Sequence, residues 1–217
     1  MKTICSKQRN YALTLMEVLL VIAFLAILAV MFLPALANRK HDSRFHCYNN
    51  LKQSGLAFNV WAGDNGDKYP MDVSVTNGGA MELAASGDSA VIFQVMSNEL
   101  STPKILICPM DKEHQAATNT SFTLAAKNIS YFVGLDASFN SPLTILSGDD
   151  NFEFSGRITK SGLQFISTNA MYYWSTDRHN RSGNILLTDG SVQSLKNSEL
   201  LNQVCQTGLA TNRLAIP

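Results

Sequence analysis

From Val18 to Ala37 the chain runs twenty residues without a charge. A helix of that length matches the hydrocarbon core of a bilayer, about 30 Å thick. This stretch constrains the fold more than any other, and the residues after it read as the domain such a helix carries. One carboxylate, Glu17, stands at its N-terminal edge, and Lys2, Lys7 and Arg9 precede it. The run plus its leader take 37 of 217 residues, which leaves enough chain for one domain with its own core.

The N-terminus admits three readings. A basic start, an apolar run and Ala35-Leu36-Ala37 fit a secretory signal, although the run is longer than the usual signal core and Glu17 sits where that core should begin. Lys2, Lys7 and Arg9 equally fit an ordinary anchor with its N-terminus in the cytoplasm. Neither accounts for Glu17, since a carboxylate inside a membrane segment costs up to about 2.5–3.5 kcal/mol and usually has a partner. A cut between Ala12 and Leu13 would supply one: Leu13 becomes a free ammonium and Glu17 the fifth residue, able to neutralise the terminus of a neighbouring subunit.

Ala12-Leu13-Thr14-Leu15-Met16-Glu17 and the apolar run resemble the class III signal of type IV prepilins and type II secretion pseudopilins. The resemblance implies cleavage after Ala12 by a prepilin peptidase, N-methylation of Leu13, and assembly through Glu17. Ala12 replaces the customary Gly and Leu13 the customary Phe. Pro34, twenty-second from Leu13, stands where pilin-like helices often kink; proline bends a helix by removing a hydrogen bond. It could equally mark a helix end.

From Asn38 to Ala62, Phe45, Tyr48, Leu51, Gly55, Phe58 and Ala62 recur at helical spacing, and Gly63-Asp64-Asn65-Gly66-Asp67 stops the helix. Further on, Ser89–Leu100 reads as a helix. Lys104–Cys108 and Asn128–Leu135 read as short strands, Leu143–Leu146 is a further short apolar run, and Met171–Trp174 reads as an aromatic-rich strand or loop. Asp149 and Asp150, in a Gly-Asp-Asp-Asn cluster, read as an exposed turn rather than a metal site. Asn184–Thr188 and Ser191–Leu195 flank Asp189-Gly190, the favoured pair for a two-residue type I′ hairpin turn, and Asn197–Val204 reads as a closing helix.

His179 precedes Asp189-Gly190 by a His-x9-Asp-Gly spacing. This resembles the C-terminal signature of a group of pilin-like exported proteins, as do Cys47-Tyr-Asn-Asn-Leu-Lys-Gln-Ser-Gly-Leu-Ala-Phe58, Ile107-Cys-Pro-Met-Asp111 and Ser130-Tyr-Phe-Val133. The signature names a pattern, not an activity. His179 and Asp189 could orient a nucleophile or bind a metal, but a turn needs Asp-Gly for geometry alone, and no hydrolase or phosphate-loop motif accompanies them.

Four cysteines occur, at 5, 47, 108 and 205. Cys47 lies on the amphipathic helix and Cys108 ends an apolar segment. If the two pack together they could form a disulfide, which an exported domain permits; otherwise they are small buried thiols. Lysines plus arginines equal aspartates plus glutamates at 17 each, which gives no reason to expect nucleic acid.

The expected fold is therefore α+β and pilin-like. A long N-terminal helical spine, membrane-spanning in its first half and amphipathic in its second, packs on a small antiparallel sheet. Its parts are a leader over 1–12, a transmembrane and assembly helix over 13–37, an amphipathic extension over 38–62 and a soluble domain over 63–217. The expected role is a non-enzymatic structural subunit of a type II secretion pseudopilus or type IV pilus-like fibre, single-pass in the inner membrane with the C-terminal domain in the periplasm. The implied partners are copies of itself, other pilin-like subunits, the prepilin peptidase, an inner-membrane assembly platform and lipid. No cofactor or metal is expected. The other reading is a tethered, exported surface- or carbohydrate-binding protein with a face of Trp61, Tyr172, Tyr173 and Trp174.

Overall fold

The computed structural model describes residues 15–37, 39–118, 123–154, 157–159 and 161–217, with the side chains of 31–42 and of Ile158 outside the description. The chain divides into two units, 1–42 and 43–217.

The first unit holds helix α1 (Leu15–Ala37). Glu17 occupies its first turn, where a helix dipole favours a negative charge. Leu15, Leu19, Leu20, Ile22, Phe24 and Ile27 are all exposed. A second helix, α2 (Arg39–Asp64), follows.

The expected spine is corrected here. Among the described residues no helix is long and apolar enough to cross a membrane, so the long helical spine expected over 13–62 is not present. α2 cannot prolong an apolar span, because Arg39, Lys40, Asp42 and Arg44 open it. The transmembrane helix over 13–37 and the single-pass inner-membrane placement fall with it.

The second unit is sheet-rich. Residues 43–64 of α2 lead into short helices α3 (Met81–Ala84) and α4 (Ser89–Val95), the latter capped by Asp88, whose carboxylate accepts from the Ala90 N–H. Among the described residues nine strands follow: β1 (Tyr131–Gly134), β2 (Ile145–Asp149), β3 (Phe152–Phe154), β4 (Arg157–Ile158), β5 (Gly162–Ser167), β6 (Tyr172–Trp174), β7 (Ser182–Leu187), β8 (Val192–Lys196) and β9 (Thr211–Ile216), with helix α5 (Asn197–Gln206) between the last two. Six strands form one sheet in the order β5-β9-β1-β2-β7-β8, and β4-β3-β6 form a second. Every pairing is antiparallel.

Alternation along the strands sorts the core. Tyr131, Val133, Leu146, Leu186 and Ala215 face a cluster with Leu51, Phe58 and Trp61 of α2 and Phe93 of α4. Their neighbours Phe132, Ile145, Ile185, Leu187 and Leu214 face the other way, towards Phe152, Trp174 and Leu200. Both faces of the large sheet are therefore filled, which is why its strands read as apolar runs. Of the expected α2 stripe, Leu51, Phe58 and Ala62 are buried, whereas Phe45 is 58% exposed and Cys47 and Ser54 take up buried positions.

Two local readings change. Lys104–Cys108 contains no strand; Pro103–Leu106 is a 3-10 turn with Thr102 as its cap, a start that proline's fixed φ suits. The β7–β8 hairpin is not a two-residue type I′ turn. The Gly190 N–H donates to Leu187 O, the Leu187 N–H donates to Ser191 O, and only Gly190 (φ 78°) has a positive φ. Thr188 thus joins the loop, which makes a three-residue connection with glycine in the left-handed bulge position.

Candidate functional site

Four segments distant in sequence converge beneath α2. Cys47 lies on the buried side of that helix. Cys108 follows the 3-10 turn, and Asn50 Nδ2 donates to Ile107 O at 2.9 Å, so the helix bearing Cys47 also pins the segment bearing Cys108. The two cysteines form a disulfide with Cα atoms 5.1 Å apart, and Cys205 is free and exposed. Asp149 ends β2 opposite Tyr131, which turns it to the α2 side of the sheet. Its Oδ2 accepts from the Asn184 N–H at 2.7 Å and from Asn184 Nδ2 at 2.9 Å.

His179 arrives from the loop between β6 and β7. Its Nε2 lies 3.2 Å from Cys108 Sγ and 3.6 Å from Asp149 Oδ2. The loop reaches this position through three consecutive left-handed residues, His179, Asn180 and Arg181, with φ of 49°, 51° and 59°. For side chains with a Cβ each such residue costs about 1–2 kcal/mol, so the surroundings must hold the turn. Arg44 Nη2 and Ser182 Oγ both donate to His179 O, and the Arg181 N–H donates to Ser175 O. Backbone strain of this kind concentrates where a side chain must be aimed.

Arg178, one residue earlier, enters a separate network. Its guanidinium pairs with Asp111 at 2.7 Å and with Asp150, and donates to Ser130 O. His114 Nδ1 and Ser130 Oγ also bond Asp111 Oδ2, at 2.7 and 2.6 Å. A cleft lined by Asp111, His114, Asp150, Ser175 and Arg178 opens on this side.

Burial would raise the Asp111 carboxyl, but hydrogen bonds from His114 and Ser130 and the Arg178 charge outweigh it and hold the group well below the usual carboxylate range. The same contact raises His114. Burial pushes Asp149 and Asp150 up to about 6 despite Arg178. Burial, then the Arg44 and Arg178 charges, lower His179 to about 4.

Of the sequence-derived site residues, Ala12 and Leu13 lie outside the described residues, and Pro34 falls within the bounds of α1 with its side chain undescribed. His179 and Asp189 make separate contacts: His179 meets Asp149 and Cys108, whereas Asp189 Oδ1 accepts from the Ser191 N–H within its own turn. Lys52 of α2 reaches the same turn, its Nζ donating to Gly190 O. The supposed aromatic face is not one surface, because Trp61 is buried in the α2-side cluster and Trp174 in the other. Asp149 and Asp150 are buried rather than in an exposed turn. Sequence reasoning missed Asp149, Asp150, Arg178, Asp111 and His114 as site residues. The one available signal was the Arg178-His179 pair beside the Asp149-Asp150 pair, since two acids in a core require cations.

Comparison of the chain with family models, with curated proteins and with solved structures finds no match in any of the three.

Proposed function

We propose that this protein is a structural, non-catalytic subunit that assembles with copies of itself or with similar subunits into a pilus-like or pseudopilus-like fibre after cleavage behind Ala12. The observation that carries the reading is α1. Its described residues expose apolar side chains at nearly every position, with Leu15 81%, Leu20 70% and Val30 69% exposed. A helix apolar on all sides is stable only when other apolar surface covers it, and helices of neighbouring subunits supply that cover. The carboxylate of Glu17 in the first turn sets the register by meeting the Leu13 ammonium of the next copy.

Cysteine crosslinking tests this. With Cys205→Ser as background, single cysteines replacing Leu19, Ile22 or Val30 should give crosslinked dimers in cells from at least one position facing a neighbour. N-terminal sequencing of the native protein should begin at a methylated Leu13. Monomers at all three positions, or a mature terminus at Asn38, would overturn the proposal.

A further inference from the structure

The ligand atoms of Cys47, Cys108, Asp149 and His179 all lie within 4.8 Å of one another, and all four residues are buried. A disulfide requires neither of the other two. It is neutral and a weak hydrogen-bond acceptor, so it offers little in return for the desolvation of a carboxylate and an imidazole. Asp149 Oδ1 and His179 Nδ1 are buried without a hydrogen-bond partner among the described residues. Yet the fold brings both groups to the sulfurs, one by strand register and the other through three strained residues.

We propose that Cys47, Cys108, Asp149 and His179 form a zinc site when the disulfide is reduced. The link between α2 and the Cys108 segment is then covalent in the oxidised protein and metal-mediated in the reduced one. Two thiolates, an imidazole and a carboxylate are a tetrahedral zinc donor set. With bonds of about 2.0–2.3 Å, ligand atoms in such a site stand about 3.3–3.8 Å apart. His179 Nε2 already lies 3.2 Å from Cys108 Sγ and 3.6 Å from Asp149 Oδ2. The main change needed is separation of the two sulfurs once their bond is broken. Three anionic ligands around Zn2+ leave one excess negative charge, and Arg44, bonded to the His179 carbonyl, lies close enough to offset it.

The chemistry balances with a trialkylphosphine as reductant. The phosphine takes oxygen from water and becomes its oxide, while the disulfide gains the two hydrogens and becomes two thiols. Zn2+ then displaces both thiol protons to buffer. The Asn184 bonds to Asp149 Oδ2 orient the carboxylate and would give way in part as that oxygen turns to the metal.

The experiment uses the full chain, oxidised or phosphine-reduced without air, titrated with zinc alone and, as a spectroscopic stand-in, cobalt alone. Reduced protein should bind one metal per chain and show the visible bands of tetrahedral cobalt with thiolate charge transfer; oxidised protein should bind none. His179→Gln and Asp149→Asn should each weaken zinc binding at least about tenfold in competition with a chelator. Equal metal content in both redox states overturns the proposal, as does unchanged affinity in both variants. If reduction unfolds the domain, refolding on zinc addition is the required result, and its failure also overturns the proposal. Should a variant not fold, the two-thiolate cobalt spectrum of the reduced native chain decides alone. This site stands independently of the fibre reading.

Discussion

Gly183 on β7 lies against the indole of Trp174: a Cβ at residue 183 would come within 2.4 Å of Cε3 and Cζ3. Trp174 is 1% exposed and stacks on Phe152 with ring centroids 4.4 Å apart, so the ring has no room to retreat. Gly183→Ala should destabilise the domain by about 1–3 kcal/mol, the range for overpacking a tight core. A lowered urea midpoint with an unchanged slope is the expected result; an unaltered midpoint would show that the ring moves freely.

Arg178→Met should cost more. The substitution keeps an apolar stem but leaves Asp111 and Asp150 without their shared cation, and both are almost wholly buried. Removing one partner from such a cluster typically costs about 3–5 kcal/mol. Thermal unfolding should shift down accordingly. The triple variant with Asp111→Asn and Asp150→Asn should recover part of the loss, because the uncompensated charges go with it.

The Asp111–His114 pair predicts a pH profile. His114 is raised above its ordinary 6.5 by the hydrogen bond to Asp111, so its stabilisation is complete below about pH 6.5 and is lost as pH rises through the higher folded value. Asp111 is lowered from 3.8, so its contribution is complete above that value and is lost only as pH falls through its depressed folded pKa. The stability difference between the native chain and His114→Gln should therefore be largest near pH 5–6 and shrink towards pH 8. Urea midpoints at pH 5.5 and 8 measure it; a difference that grows towards pH 8 would refute the assignment.

The Cys47–Cys108 bond spans a sequence separation of 61. Loop-closure entropy for a loop of that length corresponds to about 4 kcal/mol. Reduction in the presence of a strong chelator should lower stability by about 2–4 kcal/mol, and the double variant Cys47→Ala, Cys108→Ala by a similar amount.

The hairpin was legible because Asp189-Gly190 is local chemistry between two apolar runs, and the turn still carries glycine in its left-handed position. The two-residue form was misjudged because Thr188 is claimed by the Ser141 carbonyl, to which its hydroxyl donates, 47 residues away in sequence. Asp149 and Asp150 read as solvent-exposed because nothing within several residues can pair with them. Their partners Asn184 and Arg178 lie 35 and 28 residues downstream, a separation no periodicity reports. Lys104–Cys108 reads as a strand from apolar content alone, while Pro103 and the Thr102 cap set a 3-10 start. The expected spine joins the apolarity over 18–37 to a periodicity over 38–62, but the latter reports Leu51, Phe58 and Ala62 packing in the core of the second unit.

The two filled faces of the large sheet carry a further consequence. With α2 and α4 on one side and the Phe152–Trp174 layer on the other, what an approaching molecule meets of this sheet is its rims, β5 and β8. Along β5 the Tyr172 hydroxyl accepts from the Ser167 N–H and donates to Phe165 O, and Gly87 packs against the backbone of Gly162 and Leu163, although the Phe165 side chain is 57% exposed. The sheet is thus covered on both faces and stopped along part of its β5 edge, which leaves β8 as the rim where another strand could add.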